Sequence, residues 1–171
     1  PANWAHFLKM ARKNAFDPDA LAVYVLSGDA LTRATADCGA AEYICVYDCT
    51  NASTVDILNP DVMDRFIAET HDRYYERFAA SFGTTLKGFF TDEPQYFRYA
   101  TAYSPTMIEA YRARYGRDLL DELGKLFVDC DGAPGFRFRY WQLMNERYTE
   151  QFAGRIFRWC ELHRAMLTGH T

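Results

Sequence analysis

Short apolar runs alternate with amphipathic stretches along the chain, and the spacing within each run predicts its element. Trp4, Phe7, Leu8 and Ala11 recur at helical spacing and predict an opening helix. Residues 21–26 and 43–47 are rich in β-branched and aromatic side chains. They are separated by breaks at Ser27-Gly28-Asp29 and Cys38-Gly39, and predict an antiparallel hairpin or insertion. Residues 54–58 read as a short apolar strand running into Asn59-Pro60-Asp61, where Asn59 caps a helix and Pro60 takes its first position. Val62, Phe66, Thr70, Tyr74, Phe78 and Phe82 then step by four residues until Gly83 supplies the stop. The same order follows again: an apolar strand over 86–91, a loop over 92–103, and a helix opened by Ser104-Pro105 and closed by Gly116. Helical pattern resumes over 119–127. A long helix is predicted from Phe138 to His163, with Trp141, Met144, Tyr148, Phe152, Ile156 and Trp159 on one face, and a strand over 165–169 ends the set.

Strands alternating with helices, each strand nearly continuous in apolar residues, predict an α/β class with a parallel sheet buried on both faces. No Gly-rich phosphate loop follows any strand, which favours a barrel over a nucleotide-binding sheet. The expected architecture is one domain over 1–171: a helix plus β-hairpin insertion over 1–50, and successive βα units of a (β/α)8 TIM-type barrel over 51–171. A full barrel takes roughly 250 residues, more than the 171 present. Both ends also fall inside elements, so the rest of a larger multidomain chain is expected on either side.

Composition narrows the partners. Hydrophobic residues make up 49% and charged residues 25%, which suits a single globular core. The 16% aromatic content fits either a large aromatic core or a carbohydrate cleft. A formal charge of −4 without a long Lys or Arg run argues against nucleic acid. No apolar stretch approaches the roughly 18 residues of a membrane span. The five cysteines, Cys38, Cys45, Cys49, Cys130 and Cys160, form no paired CxxC spacing and favour a reducing, cytoplasmic setting, with a secreted or periplasmic one left open.

Strand ends are where such folds gather reacting groups. Asp92 and Glu93 follow the apolar Gly88-Phe89-Phe90-Thr91, and an apolar wall raises the pKa of a neighbouring carboxyl, fitting it to protonate a leaving oxygen. Pro94 biases Glu93 toward extended backbone. Asp56, Asn59, Gln95, Tyr96 and His170 are the candidate substrate-binding groups, with helix capping the competing role for Asp56. His71 and His163 lie in helical patterns and read as packing or surface residues. No HxH or HExxH spacing supports a metal, and no cofactor is expected. A divalent cation such as calcium, bound by Asp92, Glu93 and His170, remains the alternative.

Residues 55–60, the helix containing Phe66 to Phe78, and residues 86–94 together resemble the catalytic barrels of large bacterial glycosidases of the family 2-like or family 106 α-L-rhamnosidase-like type. Trp159 to His163 and Leu167 to His170 fit the same pattern. The resemblance implies a glycoside hydrolase, with Glu93 as general acid or acid/base at the end of the fourth strand. Asp92 stands there in place of the Asn of the related clan, and the second carboxylate would come from a later strand outside this chain, leaving the piece inactive alone. The competing functions are a metal-dependent hydrolase on Asp92, Glu93 and His170, and a non-catalytic carbohydrate-binding barrel.

Overall fold

The computed structural model describes residues 3–94 and 101–170. Its larger sheet is antiparallel and built from β1 (Trp4–Lys13), β2 (Ala22–Ser27), β3 (Ala30–Ala34), β4 (Tyr43–Val55) and β6 (Thr101–Tyr103), in the order β3-β2-β4-β1-β6. A second sheet holds only two parallel strands, β5 (Gly88–Thr91) and β7 (Met166–Gly169). The fold is therefore α+β, and neither an α/β parallel sheet nor a part of a (β/α)8 barrel. The supposed insertion of residues 1–50 supplies four strands of the main sheet.

The first correction explains the rest. Residues 4–13 form a strand, because the apolar positions of so short a stretch fit either period and the partner decides. That partner is β4, which pairs with β1 from Trp4↔Val55 to Lys13↔Tyr43 with a bulge at Trp4/Ala5. The same β4 runs on to Val55, so residues 54–58 are not a separate strand; they end β4 and turn through Asp56 to Asn59. The runs 21–26 and 43–47 do pair antiparallel, with Tyr24 opposite Ile44, and β2 also closes a tight hairpin with β3. Thr101–Tyr103, inside the predicted loop, completes the sheet against His6, Phe7 and Leu8.

Alternation along the strands divides their side chains between two faces. Ala22, Tyr24, Ile44 and Val46 point into the main core, where they meet Met107 and Tyr111 of α3 (Met107–Tyr115), the 3-10 turns at Leu119–Asp121 and Leu123–Leu126, and Phe136, Tyr140 and Met144 of α4 (Ala133–Arg147). Val23, Tyr43 and Cys45 face the other way, onto Phe16. Two of the buried tyrosines satisfy their hydroxyls on backbone carbonyls: Tyr24 donates to that of Leu120 and Tyr140 to that of Ala102, each at 2.5 Å.

The second core lies between the helices and the parallel pair. Asn59 caps α1 (Pro60–Ile67) by accepting from the Asp61 N–H at 3.0 Å. The helix continues through a π-helical turn, Ala68–Asp72, into α2 (Arg73–Phe78). α4 likewise passes through a π-helical turn, Tyr148–Ala153, into α5 (Gly154–Leu162). Met63, Phe82, Phe152, Ile156, Trp159 and Cys160 are buried here, with Phe66, Phe89 and Leu167 packed against them.

Two glycines let β5 and β7 approach. A Cβ on Gly88 would lie 2.4 Å from the Met166 carbonyl oxygen, and one on Gly169, at φ +152°, 2.1 Å from that of Thr91. Larger side chains are sterically shut out of both positions. Among the described residues the five cysteines are free, and no helix is long and apolar enough to cross a membrane.

Candidate functional site

The register of the parallel pair sets the site. Thr91 pairs with Gly169, so the next residue on each strand, Asp92 and His170, emerges at the same carboxyl end. The His170 N–H donates to the Thr91 carbonyl at 3.0 Å, and its Nδ1 lies 3.6 Å from Asp92 Oδ1. Its ring stands edge-on to Phe90 at 5.3 Å. Glu93 joins them: one ligand atom from each of Asp92, Glu93 and His170 lies within 4.8 Å of the others. Glu93 takes φ +44°, a left-handed backbone that a residue with a Cβ adopts at a cost of about 1 kcal/mol. This differs from the extended geometry expected before Pro94. Strain of this kind concentrates at sites that must aim a side chain.

All three residues are exposed, so the described residues form no apolar enclosure around the carboxylates. The apolar wall lies beside them instead. A cavity of about 360 Å³ opens under Asp92 and Pro94, lined by Phe66, Tyr74, Phe89, Phe90, Phe152 and His71 among others. That volume is at the lower end of small-ligand clefts.

Asp56 lies elsewhere, 3% exposed where β4 turns toward α1. Its Oδ1 accepts from the Leu58 N–H at 3.1 Å and its Oδ2 from the Ser104 hydroxyl at 2.7 Å. Burial raises its pKa above the ordinary carboxyl value, against the lowering effect of those two hydrogen bonds. It borders a second cavity of about 350 Å³ together with Trp4, His6, Leu58 and Tyr103. Phe66 and Pro94 wall both cavities, so the two adjoin beside the carboxylates. Asn59 is occupied as a helix cap. Gln95 and Tyr96 lie outside the described residues.

The sequence reading passed over His6 and gave His71 no role beyond packing or surface. His6 reaches across from β1 to Asp48 on β4, Nδ1 to Oδ1 2.8 Å, and borders the second cavity. Read as helix, its stretch offered no reason to face it toward Asp48. His71, expected to pack or to face solvent, is 6% exposed and lines the aromatic cavity. Its position next to Thr70, which is on the stripe with Phe66 and Tyr74, was the one hint of this.

Fold and site define an α+β protein with a carboxylate and imidazole cluster at the end of a short parallel strand pair, beside an aromatic cavity. No family model, curated protein or solved structure matches the chain. The resemblance to barrel glycosidases does not survive the topology: the main sheet is antiparallel and the parallel sheet has two strands. A hydrolytic or glycosidic activity therefore draws no support from kinship and rests on the site alone.

Proposed function

We propose that the protein hydrolyses O-glycosidic bonds of a carbohydrate, with Glu93 as general acid and Asp92 as the second carboxylate. One observation carries the reading: Asp92, Glu93 and His170 converge within 4.8 Å at the carboxyl ends of β5 and β7, beside a cavity walled by aromatic rings. The apolar faces of such rings match the C–H faces of a pyranose. A carboxylic acid at the rim delivers a proton to the glycosidic oxygen, and a neighbouring carboxylate attacks the anomeric carbon or activates water. His170 and Asp56 then hold sugar hydroxyls, as carbohydrate is the partner.

Glu93→Gln tests the assignment. Turnover of unactivated glycosides falls by about 10²- to 10⁴-fold, and substrates with acidic leaving groups lose less. Equal turnover in the variant removes Glu93 from the chemistry. The same 4.8 Å convergence of two carboxylates and an imidazole also suits a divalent cation bound by oxygen and nitrogen donors. Activity abolished by chelator and restored by calcium selects that reading; sugar binding without turnover selects a purely binding role.

A further inference from the structure

Two π-helical turns occur among the described residues, at Ala68–Asp72 and Tyr148–Ala153, and both wall the aromatic cavity. The first contributes Thr70 and His71, the second Phe152. Such turns interrupt the regular ladder and recur at functional sites. The first has a visible local cause, since the Thr70 hydroxyl donates back to the Phe66 carbonyl at 2.5 Å.

That bond also fixes the chemistry of His71. A hydroxyl has one proton, and Thr70 gives it to Phe66. The contact between Thr70 Oγ1 and His71 Nδ1 at 2.8 Å must therefore run the other way, with Nδ1–H donating. In the neutral ring Nε2 then carries a lone pair and no proton. The ring is held between Phe89 at 4.4 Å, Trp159 at 5.1 Å and Phe66 at 5.6 Å. Burial lowers its pKa, against the raising effect of the Asp72 carboxylate, so the neutral form prevails at pH 7. A mainly apolar pocket that has the His71 imidazole in its lining and Asp92 at its rim selects a ligand that pairs an apolar face with hydroxyl donors.

We infer that His71 is a substrate-positioning residue, whose Nε2 accepts a hydrogen bond from one hydroxyl of a pyranose ring stacked in the aromatic cavity. The identity of the ligand rests on the glycosidase reading; the tautomer and the acceptor role do not. A sugar with its hydroxyl inverted or removed loses that bond, so His71 discriminates among pyranoses.

The test uses the unmodified chain first. Long-range proton–nitrogen correlation NMR reports Nδ1 as the protonated nitrogen of His71 and Nε2 as the bare one, and titration with methyl glucoside, galactoside, mannoside or rhamnoside shifts the Nε2 resonance for at least one of them. A protonated Nε2, or a resonance that no methyl pyranoside moves, overturns the inference. His71→Asn keeps an amide near the Nδ1 position and removes the acceptor, while His71→Gln reaches the Nε2 position. Affinity for the selected glycoside falls about three- to tenfold in the Asn variant and recovers in part in the Gln variant. Equal affinities in wild type and His71→Asn, measured where both are folded by circular dichroism, also overturn it. Loss of binding in His71→Asn together with unimpaired turnover in Glu93→Gln would leave the His71 assignment standing and remove the proposed acid.

Discussion

Two buried carboxylates show how partners, rather than residue type, decide what a charge does. Glu122 is 6% exposed, and burial pushes its carboxyl up; the Tyr111 hydroxyl at 2.7 Å and the cations of Arg139, Lys125 and Arg117 outweigh this and hold it below its ordinary value. Among the described residues Asp56 has two neutral donors and no cation within ion-pair distance, so its burial prevails and its pKa rises. The signs follow from proton counting. Folded Asp56 binds more protons than unfolded Asp56, so the stability it contributes is present below the unfolded pKa and is lost as pH rises through the folded one. Glu122 behaves oppositely, losing its contribution as pH falls. Asp56→Asn is expected to raise the urea midpoint relative to wild type, by a margin that widens from pH 4 to pH 7. Glu122→Leu removes one partner of a buried network and lowers stability by about 3 kcal/mol. Urea melts of both variants across that range check the pair. Neither role was legible in the chain: Asn59 and not Asp56 caps α1, and the cations around Glu122 come from Arg139 on α4 as well as from its own neighbours.

At the scale of elements, the parallel pair is what builds the site, and its closeness depends on the two glycines. Gly169→Ala places a methyl 2.1 Å from the Thr91 carbonyl oxygen and 2.3 Å from its hydroxyl. The strands must separate, which breaks the His170 N–H bond to Thr91 and takes His170 away from Asp92. A loss of about 2 kcal/mol is expected, together with amide protection lost across Met166–Gly169 and activity reduced beyond what stability explains. Unchanged melting and unchanged hydrogen exchange in the variant would detach the glycine from strand pairing. Several element limits were legible. Asn59-Pro60 opens α1, Gly116 closes α3 at φ +67°, and residues 165–169 contain β7. The π-helical turns were not legible, since a helical stripe stepping by four residues passes through Thr70 and Phe152 without recording the extra residue.

For the whole molecule, the distribution of packing predicts an order of stability. β1 and β4 pair over their full lengths beneath the larger core, whereas β5 and β7 have only one another as strand partners among the described residues. Native-state hydrogen exchange should therefore give near-global protection to the amides of β1, β2 and β4, and lower opening free energies to β5 and β7. Equal protection in both sheets would show that the second core of Met63, Phe82 and Trp159 opens only with the first.

By itself the sequence determined some local facts: that Asn59 caps α1 and Gly116 stops α3, that residues 21–26 and 43–47 extend, and that Asp92-Glu93 follows an apolar strand. These depend on neighbours a few positions apart, so composition and period suffice. Sheet direction was decided by the tertiary structure alone. Whether residues 4–13 coil or extend depended on β4, some forty residues away and itself extending past Cys49 to Val55. Once those two paired antiparallel, the expected α/β barrel gave way to an α+β sheet. The convergence of Asp92, Glu93 and His170, and the burial of His71 beside them, arise from one strand register and two irregular helical turns. The register is a long-range outcome of packing that no local spacing encodes, and the local bond from Thr70 to Phe66 becomes legible only once the helix is in place.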